Sequence, residues 1–247
     1  MNTLAMVRLV VKQPFVVATN ILAWCADYHF PTSFTWRTKL RHLLGRYELE
    51  TTQYFENIIT SGMTVVDIGA NLGYFTRLAA SLVGPTGAVY AFEPDADNFL
   101  LLKENTKQFQ NVRLIQNAVS DKEGMVTFYL SPKMGMHSLL KKRGSGRSVT
   151  VPSTTLDRLY GETDIHFVKI DVEGAEKLVF LGMKKLLSRK PIVVFEYNPL
   201  DSKALVDELE KSHPIFKILP GGMLQRTTTE ASRLDGKEGT NLVLKDF

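Results

Sequence analysis

Val65-Val66-Asp67-Ile68-Gly69-Ala70-Asn71-Leu72-Gly73-Tyr74-Phe75 is the stretch on which the fold turns. Met63 to Ile68 is a short β-branched apolar run, closed by Gly69. From Tyr74 to Val83 the apolar residues Phe75, Leu78, Ala79 and Leu82 recur at helical spacing. Strand, glycine-bounded turn and helix in that order form the opening of a βαβ unit. In an open parallel sheet, ligands bind beyond the carboxyl ends of the strands, where the strand order reverses. Gly69 ends such a strand and Gly73 opens the helix, and the absent Cβ atoms let a ligand approach the backbone. The loop reads as a nucleotide-type cradle.

The same rhythm continues outward. After the turn Gly84-Pro85-Thr86-Gly87 come a strand at 88–92, a helix from about Asp97 to Phe109 with Asp97 as N-cap, and a strand at 112–116. Met125–Leu130 and Ser148–Pro152 read as two strands of an insert around a basic loop, and Thr154–Leu159 as a short helix with Leu156 and Leu159 facing inward. Regularity returns with a buried strand at 166–170, a helix from Ala175 to Leu187, a strand at 192–195 and a helix at 202–211. Ile215–Leu219 and Asn241–Leu244 read as two antiparallel edge strands, joined by the turn Pro220-Gly221-Gly222 and a loop at 226–239. The fold class is α/β, a doubly wound, mostly parallel Rossmann-like sheet. Residues 1–46 are expected to form an N-terminal helical extension and 47–247 the main domain, with an insert at about 122–153.

Composition excludes several classes. Apolar residues make up 44% of the 247 residues and charged residues 23%, as in ordinary globular proteins rather than disordered or repetitive chains. The lone cysteine, Cys25, permits neither an intramolecular disulfide nor a cysteine-based zinc site, and fits a reducing, cytoplasmic setting. A net charge of +4 is too small to imply nucleic acid. The densest basic stretch, Lys141, Lys142, Arg143 and Arg147, lacks the aromatic residues of a base-stacking surface. Phe15 to Ala26 is apolar except for Thr19 and Asn20, too short a run to span a bilayer. Trp24 between Ala23 and Cys25 spoils a signal-cleavage site. A helix packed on the domain is expected, with membrane-surface contact through residues 1–30 as the alternative.

The chemistry-bearing residues sit at strand ends. A dinucleotide cradle needs a third glycine and avoids negative charge beside the pyrophosphate. Here the pattern is Asp-x-Gly-x-x-x-Gly, and Asp67 suits a ligand with a cationic ammonium or sulfonium. Glu93, in Ala91-Phe92-Glu93-Pro94, ends the second strand, where an acid accepts hydrogen bonds from ribose hydroxyls. Asn117 and the backbone at Ala118 follow the third strand and are placed to meet an adenine edge. An Asx turn would explain Asn117 equally well. The fourth strand ends in Lys169-Ile170-Asp171-Val172-Glu173-Gly174-Ala175-Glu176. Acids are favourable at any helix N-terminus, which accounts for Glu176 but poorly for Asp171, which stands before the turn.

These motifs resemble the FkbM-like family of class I S-adenosylmethionine-dependent methyltransferases. The likeness rests on residues 65–76, Phe-Glu-Pro at 92–94, Asn-Ala-Val-Ser-Asp at 117–121, Thr-Thr-Leu-Asp at 154–157 and 169–176, and covers roughly residues 47–198. The resemblance implies a seven-stranded sheet whose last strand is antiparallel, S-adenosylmethionine as methyl donor, and usually a hydroxyl oxygen of a small molecule, sugar or natural product as acceptor. By position it implies Asp67, Gly69, Asn71, Gly73, Glu93, Asn117 and Ala118 as the cofactor's holders, with Ala70, Tyr74, Pro94 and Asp171 completing the shell. A non-catalytic scaffold that keeps the cofactor fold is the alternative function.

An alcohol acceptor must lose its proton, either to a general base or through a bound cation. The candidates are Asp171, Glu173, His137 and Glu196. Asp171, Glu173, Glu196 and Asn198 would also suit a hard divalent cation, but nothing in the spacing fixes ligand geometry, so the metal-free route is preferred.

Overall fold

The computed structural model describes residues 3–131, 137–141, 147–197, 202–228 and 240–246, with side chains from residue 13 onward. Asn198, residues 142–146 of the basic loop and residues 229–239 of the late loop lie outside the described residues.

Five parallel strands form the centre: β1 (Thr64–Ile68), β2 (Ala88–Phe92), β3 (Val112–Ile115), β7 (Phe167–Ile170) and β8 (Ile192–Tyr197), in the order β3-β2-β1-β7-β8. The order reverses between β1 and β7, where a ligand crevice belongs in this architecture. Register brings the carboxyl ends level. Ile68 pairs with both Phe92 and Ile170, and Ile170 pairs with Phe195. The next residue on each strand is therefore Gly69, Glu93, Asp171 or Glu196, in one row along the sheet's edge.

Beyond β8 the sheet turns antiparallel. β11 (Thr240–Leu244) lies between β8 and β9 (Ile215–Leu219), and β10 (Met223–Arg226) covers the far side of β9 through a 3-10 turn at Pro220–Gly222. The sheet thus has eight strands, the expected seven plus β10. Neither β9 nor β11 is an edge. Leu242, Val243 and Leu244 are all buried, which requires cover on both faces of β11. A second sheet, β4-β6-β5, holds the insert: β4 (Ala118–Val119), β5 (Gly124–Leu130) and β6 (Arg147–Thr154).

Alternation within the strands divides the core into two layers. Val66, Ile68, Val168, Ile170, Val193 and Phe195 pack on one side under α6 (Leu156–Tyr160), α7 (Glu176–Leu181), α8 (Lys184–Leu187) and α9 (Lys203–Leu209). Val65, Phe167, Val194 and Val243 pack on the other under α3 (Leu49–Ile58) and α4 (Tyr74–Val83). α5 (Ala96–Thr106) starts one residue earlier than the sequence suggests, and its N-cap is Asp95, not Asp97: the Asp95 carboxylate accepts from Asp97 N and Asn98 N. The expected helix 175–187 is broken into α7 and α8. The Asp157 carboxylate takes the backbone N–H groups of Lys185 and Leu186 at 3.0 and 2.8 Å, so α8 has its own capped start. Leu156 is buried as expected, whereas Leu159 is 41% exposed.

The N-terminal extension comprises α1 (Thr3–Cys25) and α2 (Trp36–Leu43). Its connection is clamped to the domain by Asn105, which exchanges both amide hydrogen bonds with the His29 backbone. Arg77 adds bonds to the carbonyls of Ala26 and Asp27 and stacks over the Tyr28 ring at 4.8 Å. His42 and Tyr47 then stack at 4.2 Å, and Tyr74 of α4 closes on both. α1 itself packs through a narrow stripe, Thr19 and Ala23, and the rest of its described apolar face is exposed. Among the described residues no helix is long and apolar enough to cross a membrane.

Candidate functional site

A cleft of about 280 Å³ opens over the row of strand ends. Of the sequence-derived candidates, Gly69, Asn71, Glu93, Pro94, Asn117, Ala118, His137, Asp171, Glu173 and Glu196 line it. Asp67 is fully buried at the end of β1 and does not; Ala70, Gly73 and Tyr74 also lie outside the lining.

The turn after β1 is built by two glycines. At Gly69 φ is +78°, and a Cβ there would fall 1.8 Å from the Asp171 carbonyl oxygen. At Gly73 φ is +93°, and the nearest obstacle is Leu102 Cδ1 at 2.8 Å. The fold itself therefore demands glycine at both positions: L side chains rarely take this conformation, and the β7 loop and α5 press against the turn. Tyr74 belongs to the aromatic cluster of the extension and bonds Thr52 Oγ1 through its hydroxyl at 3.0 Å.

Glu93 is buried with both carboxylate oxygens already engaged. Oε2 accepts from Asn71 N at 2.8 Å and Oε1 from Asp95 N at 3.0 Å. Burial pushes its carboxyl up to about 7, against the opposing pull of those two N–H groups. Each oxygen keeps a second lone pair, enough to accept from a vicinal diol. Asp67 Oδ2 accepts from Thr76 Oγ1 at 2.6 Å, while Oδ1 has no protein partner. Burial raises this carboxyl too. The Oδ1 atoms of Asn71 and Asn98, both lining the cleft, are likewise buried without a partner. A buried unpaired acceptor destabilises by roughly 1–3 kcal/mol unless water or ligand satisfies it. Three such acceptors around one turn fit a ligand rich in donors, such as the ammonium and ribose hydroxyls of S-adenosylmethionine. The Asn117 side chain makes no protein hydrogen bond among the described residues, so the Asx turn is absent.

On the other side of the crevice the carboxylates gather. One ligand atom each from Asp171, Glu173 and Glu196 lies within 4.8 Å of the others, and among the described residues this is the set that could hold a metal ion. Burial, then the charges of Asp171 and Glu173, push the Glu196 carboxyl up to about 8. Asp171 Oδ2 accepts from Lys169 Nζ at 2.8 Å. Lys169 is buried, sits 4.7 Å from the Phe75 ring centroid, and is held protonated by Asp171, Glu48 and Asp67 against the pull of burial. Glu173 has a left-handed φ of +55°, and its carbonyl accepts from Ser138 Oγ at 2.8 Å, which ties the insert to the crevice. Glu176 holds the fold together instead, since Oε1 accepts from Gly174 N at 3.0 Å and Oε2 from Ser202 Oγ.

His137 Nδ1 accepts from Ser131 N at 2.8 Å. The neutral ring then carries its proton on Nε2 and is a donor, not a base.

Sequence reasoning missed Glu48, Lys169 and Asn98. Glu48 lines the cleft from the N-terminal side, its carboxylate held by Asn241 Nδ2 at 2.9 Å and raised in pKa by burial. No local pattern marks it. A lysine inside the otherwise apolar Phe167-Val168-Lys169-Ile170 was the available signal for Lys169.

The family model described as the methyltransferase FkbM domain matches residues 67–213, more than half of the chain. The chain belongs to the FkbM methyltransferase family. Its fold is accordingly the S-adenosylmethionine-binding, Rossmann-like fold of that family. Two curated relatives are similar. The hexuronic acid methyltransferase AglP of Haloferax volcanii is 29% identical over 162 residues, 62% of this chain and 64% of AglP. The 2-O-methyltransferase NoeI of Sinorhizobium fredii is 28% identical over 153 residues, 54% of this chain and 63% of NoeI. The chain thus spans just under two thirds of the length of these relatives. Among solved structures, a Clostridium thermocellum protein assigned as an rRNA methylase superposes with a TM-score of 0.50 at 13% identity, over 79% of this chain and 92% of that one. That likeness concerns the fold.

Proposed function

We propose that this chain is an S-adenosylmethionine-dependent O-methyltransferase whose acceptor is a hydroxyl of a sugar or a similar polyhydroxy small molecule, with Glu196 as general base. The observation that carries the reading is the level row of strand ends. It sets the diol-accepting Glu93 and the raised Glu196 in one cleft, on opposite sides of the β1–β7 switch point. The two curated relatives, named for methylating a hexuronic acid and a 2-O position, support the acceptor class.

S-adenosylmethionine, when bound, supplies a methyl group already activated on a sulfonium. Glu93 accepts from the ribose hydroxyls, Asn117 and the Ala118 backbone meet the adenine edge, and the buried Asp67 favours the cationic end. Ala70, Asn71, Gly73, Tyr74 and Pro94 shape the turn that holds it. Glu196 takes the acceptor's hydroxyl proton, since a carboxyl near 8 is matched to proton transfer close to neutral pH. Asp171 and Glu173 accept from neighbouring hydroxyls and His137 Nε2–H donates, so the acceptor is held by several directed bonds. Orientation supplies much of the remaining rate.

Calorimetric titration with S-adenosylmethionine and, separately, NADH, repeated with Asp67→Ala, tests the cofactor. Turnover on a panel of glycosides with wild type and Glu196→Gln tests the chemistry. Binding of S-adenosylmethionine alone, with transfer to a hydroxyl that Glu196→Gln loses, is expected. Absent binding would withdraw the enzyme assignment. Binding without transfer to any polyol would favour the scaffold reading instead.

A further inference from the structure

We infer that the N-terminal segment, residues 13–46, docks the protein on an anionic lipid membrane surface. The inference does not depend on the reaction proposed above. Two independent observations carry it.

The first is the orientation of α1. Thr19 and Ala23 form the stripe that packs inward. At a helical turn of 100° per residue, Val17, Ile21 and Trp24 occupy the opposite arc, and all three are exposed, Trp24 by 82%. That arc holds no charged residue. The helix therefore turns an apolar surface away from the domain, with an exposed tryptophan at its C-terminal end, as interfacial helices do. It is not apolar enough over its length to span a bilayer.

The second is charge. Residues 13–46 contain four basic residues, Arg37, Lys39, Arg41 and Arg46, and one acid, Asp27. The segment thus carries +3 of the chain's net +4. Three basic residues, Arg37, Lys39 and Arg41, lie on α2, which packs against α1. Arg37 and Arg41 are four apart on α2 and both exposed, and Lys39 Nζ bonds Asn20 of α1 at 2.9 Å, which fixes the two helices together. Basic side chains flanking an apolar face match anionic lipid. A second copy of the chain is a poor occupant, since a two-fold contact would bring two +3 segments together. Phe34 lines both the candidate cleft and the groove between α1 and α2, so the docked surface stands beside the site.

Co-sedimentation of the full chain with phosphatidylcholine vesicles, with and without phosphatidylglycerol, tests this. Wild type is expected to sediment with the anionic vesicles and to be released by high salt. Arg37→Glu with Arg41→Glu weakens partitioning, by about fivefold for each basic residue removed and more for reversal. Ile21→Ser with Trp24→Ser abolishes it, and thermal melting and cofactor titration verify that this variant stays folded. Failure of wild type to bind anionic vesicles, equal binding to both vesicle types, or variants that bind like wild type would overturn the inference. So would a wild-type dimer in analytical ultracentrifugation that Ile21→Ser with Trp24→Ser dissociates.

Discussion

Lys169 Nζ stands 2.8 Å from Asp171 Oδ2, in a strand whose other side chains are all buried and apolar. The pair joins the floor of the crevice to its rim, because Lys169 also faces Glu48 and Asp67. Removing one partner of a buried pair leaves uncompensated charge, at about 3–5 kcal/mol. Lys169→Met strands three acids without a cation, and is expected to lower the melting temperature by on the order of 10 °C. Calorimetry checks this. A loss below about 1 kcal/mol would mean that water already screens the site.

The Glu196 carboxyl, pushed up to about 8, fixes the pH dependence of the proposed reaction. A base works only when deprotonated. Below its pKa the rate therefore rises tenfold per pH unit, and it levels off above about 8. Glu196→Gln should remove that limb and lower kcat by about 10²–10⁴. A profile of kcat/KM that is flat from neutral pH upward in wild type assigns proton removal elsewhere.

Much of this site was legible because its residues follow strands. Glu93 and Asp171 directly follow runs of apolar strand residues, Asp67 stands one residue before the end of its strand and Asn117 two beyond the end of β3, and parallel register then brings such ends together without further information. Helix α4 was read to the residue, since its apolar spacing and both bounding glycines agree. The misses share a cause of another kind. Glu48 enters the cleft through a left-handed φ of +39° and a bond to Asn241, 193 residues away. The α7–α8 break depends on Asp157 reaching across from α6. Period and propensity see neighbours along the chain, and these features are made by neighbours across it.

Glu93 predicts a pH-dependent cofactor affinity. Its folded-state pKa of about 7 lies above the ordinary glutamate value of 4.5, so between these the folded, ligand-free protein holds a proton that the unfolded chain has lost. Stability of the free protein should fall as pH rises through that window. Ribose hydroxyls bind the ionised form better, so affinity for S-adenosylmethionine should rise towards pH 7 and proton release should accompany binding. Titration in buffers of different ionisation enthalpy measures that proton. With Glu93→Gln, release should vanish and affinity fall about 10-fold or more, the loss of a charge-assisted bond. Equal proton release from this variant would point to another group.

The two glycines of the β1–α4 turn should differ in tolerance despite similar φ values. A Cβ at Gly69 meets backbone, the Asp171 carbonyl oxygen at 1.8 Å, and that backbone is tied to β1 by the Asp171 N–H donating to the Ile68 carbonyl at 3.0 Å. A Cβ at Gly73 meets the end of the Leu102 side chain at 2.8 Å, which has rotamers to use. Both substitutions carry the left-handed cost of about 1–2 kcal/mol. Gly73→Ala should add little more, whereas Gly69→Ala must push β7 and β1 apart and should lose about 3 kcal/mol or more. Because Asp171 moves with its carbonyl, Gly69→Ala should also shift the Glu196 pH limb, and Gly73→Ala should leave it in place. Denaturant melts paired with pH profiles of the two variants decide this. Equal stability losses would locate the constraint in φ alone, and the contact with Asp171 would then have no energetic weight.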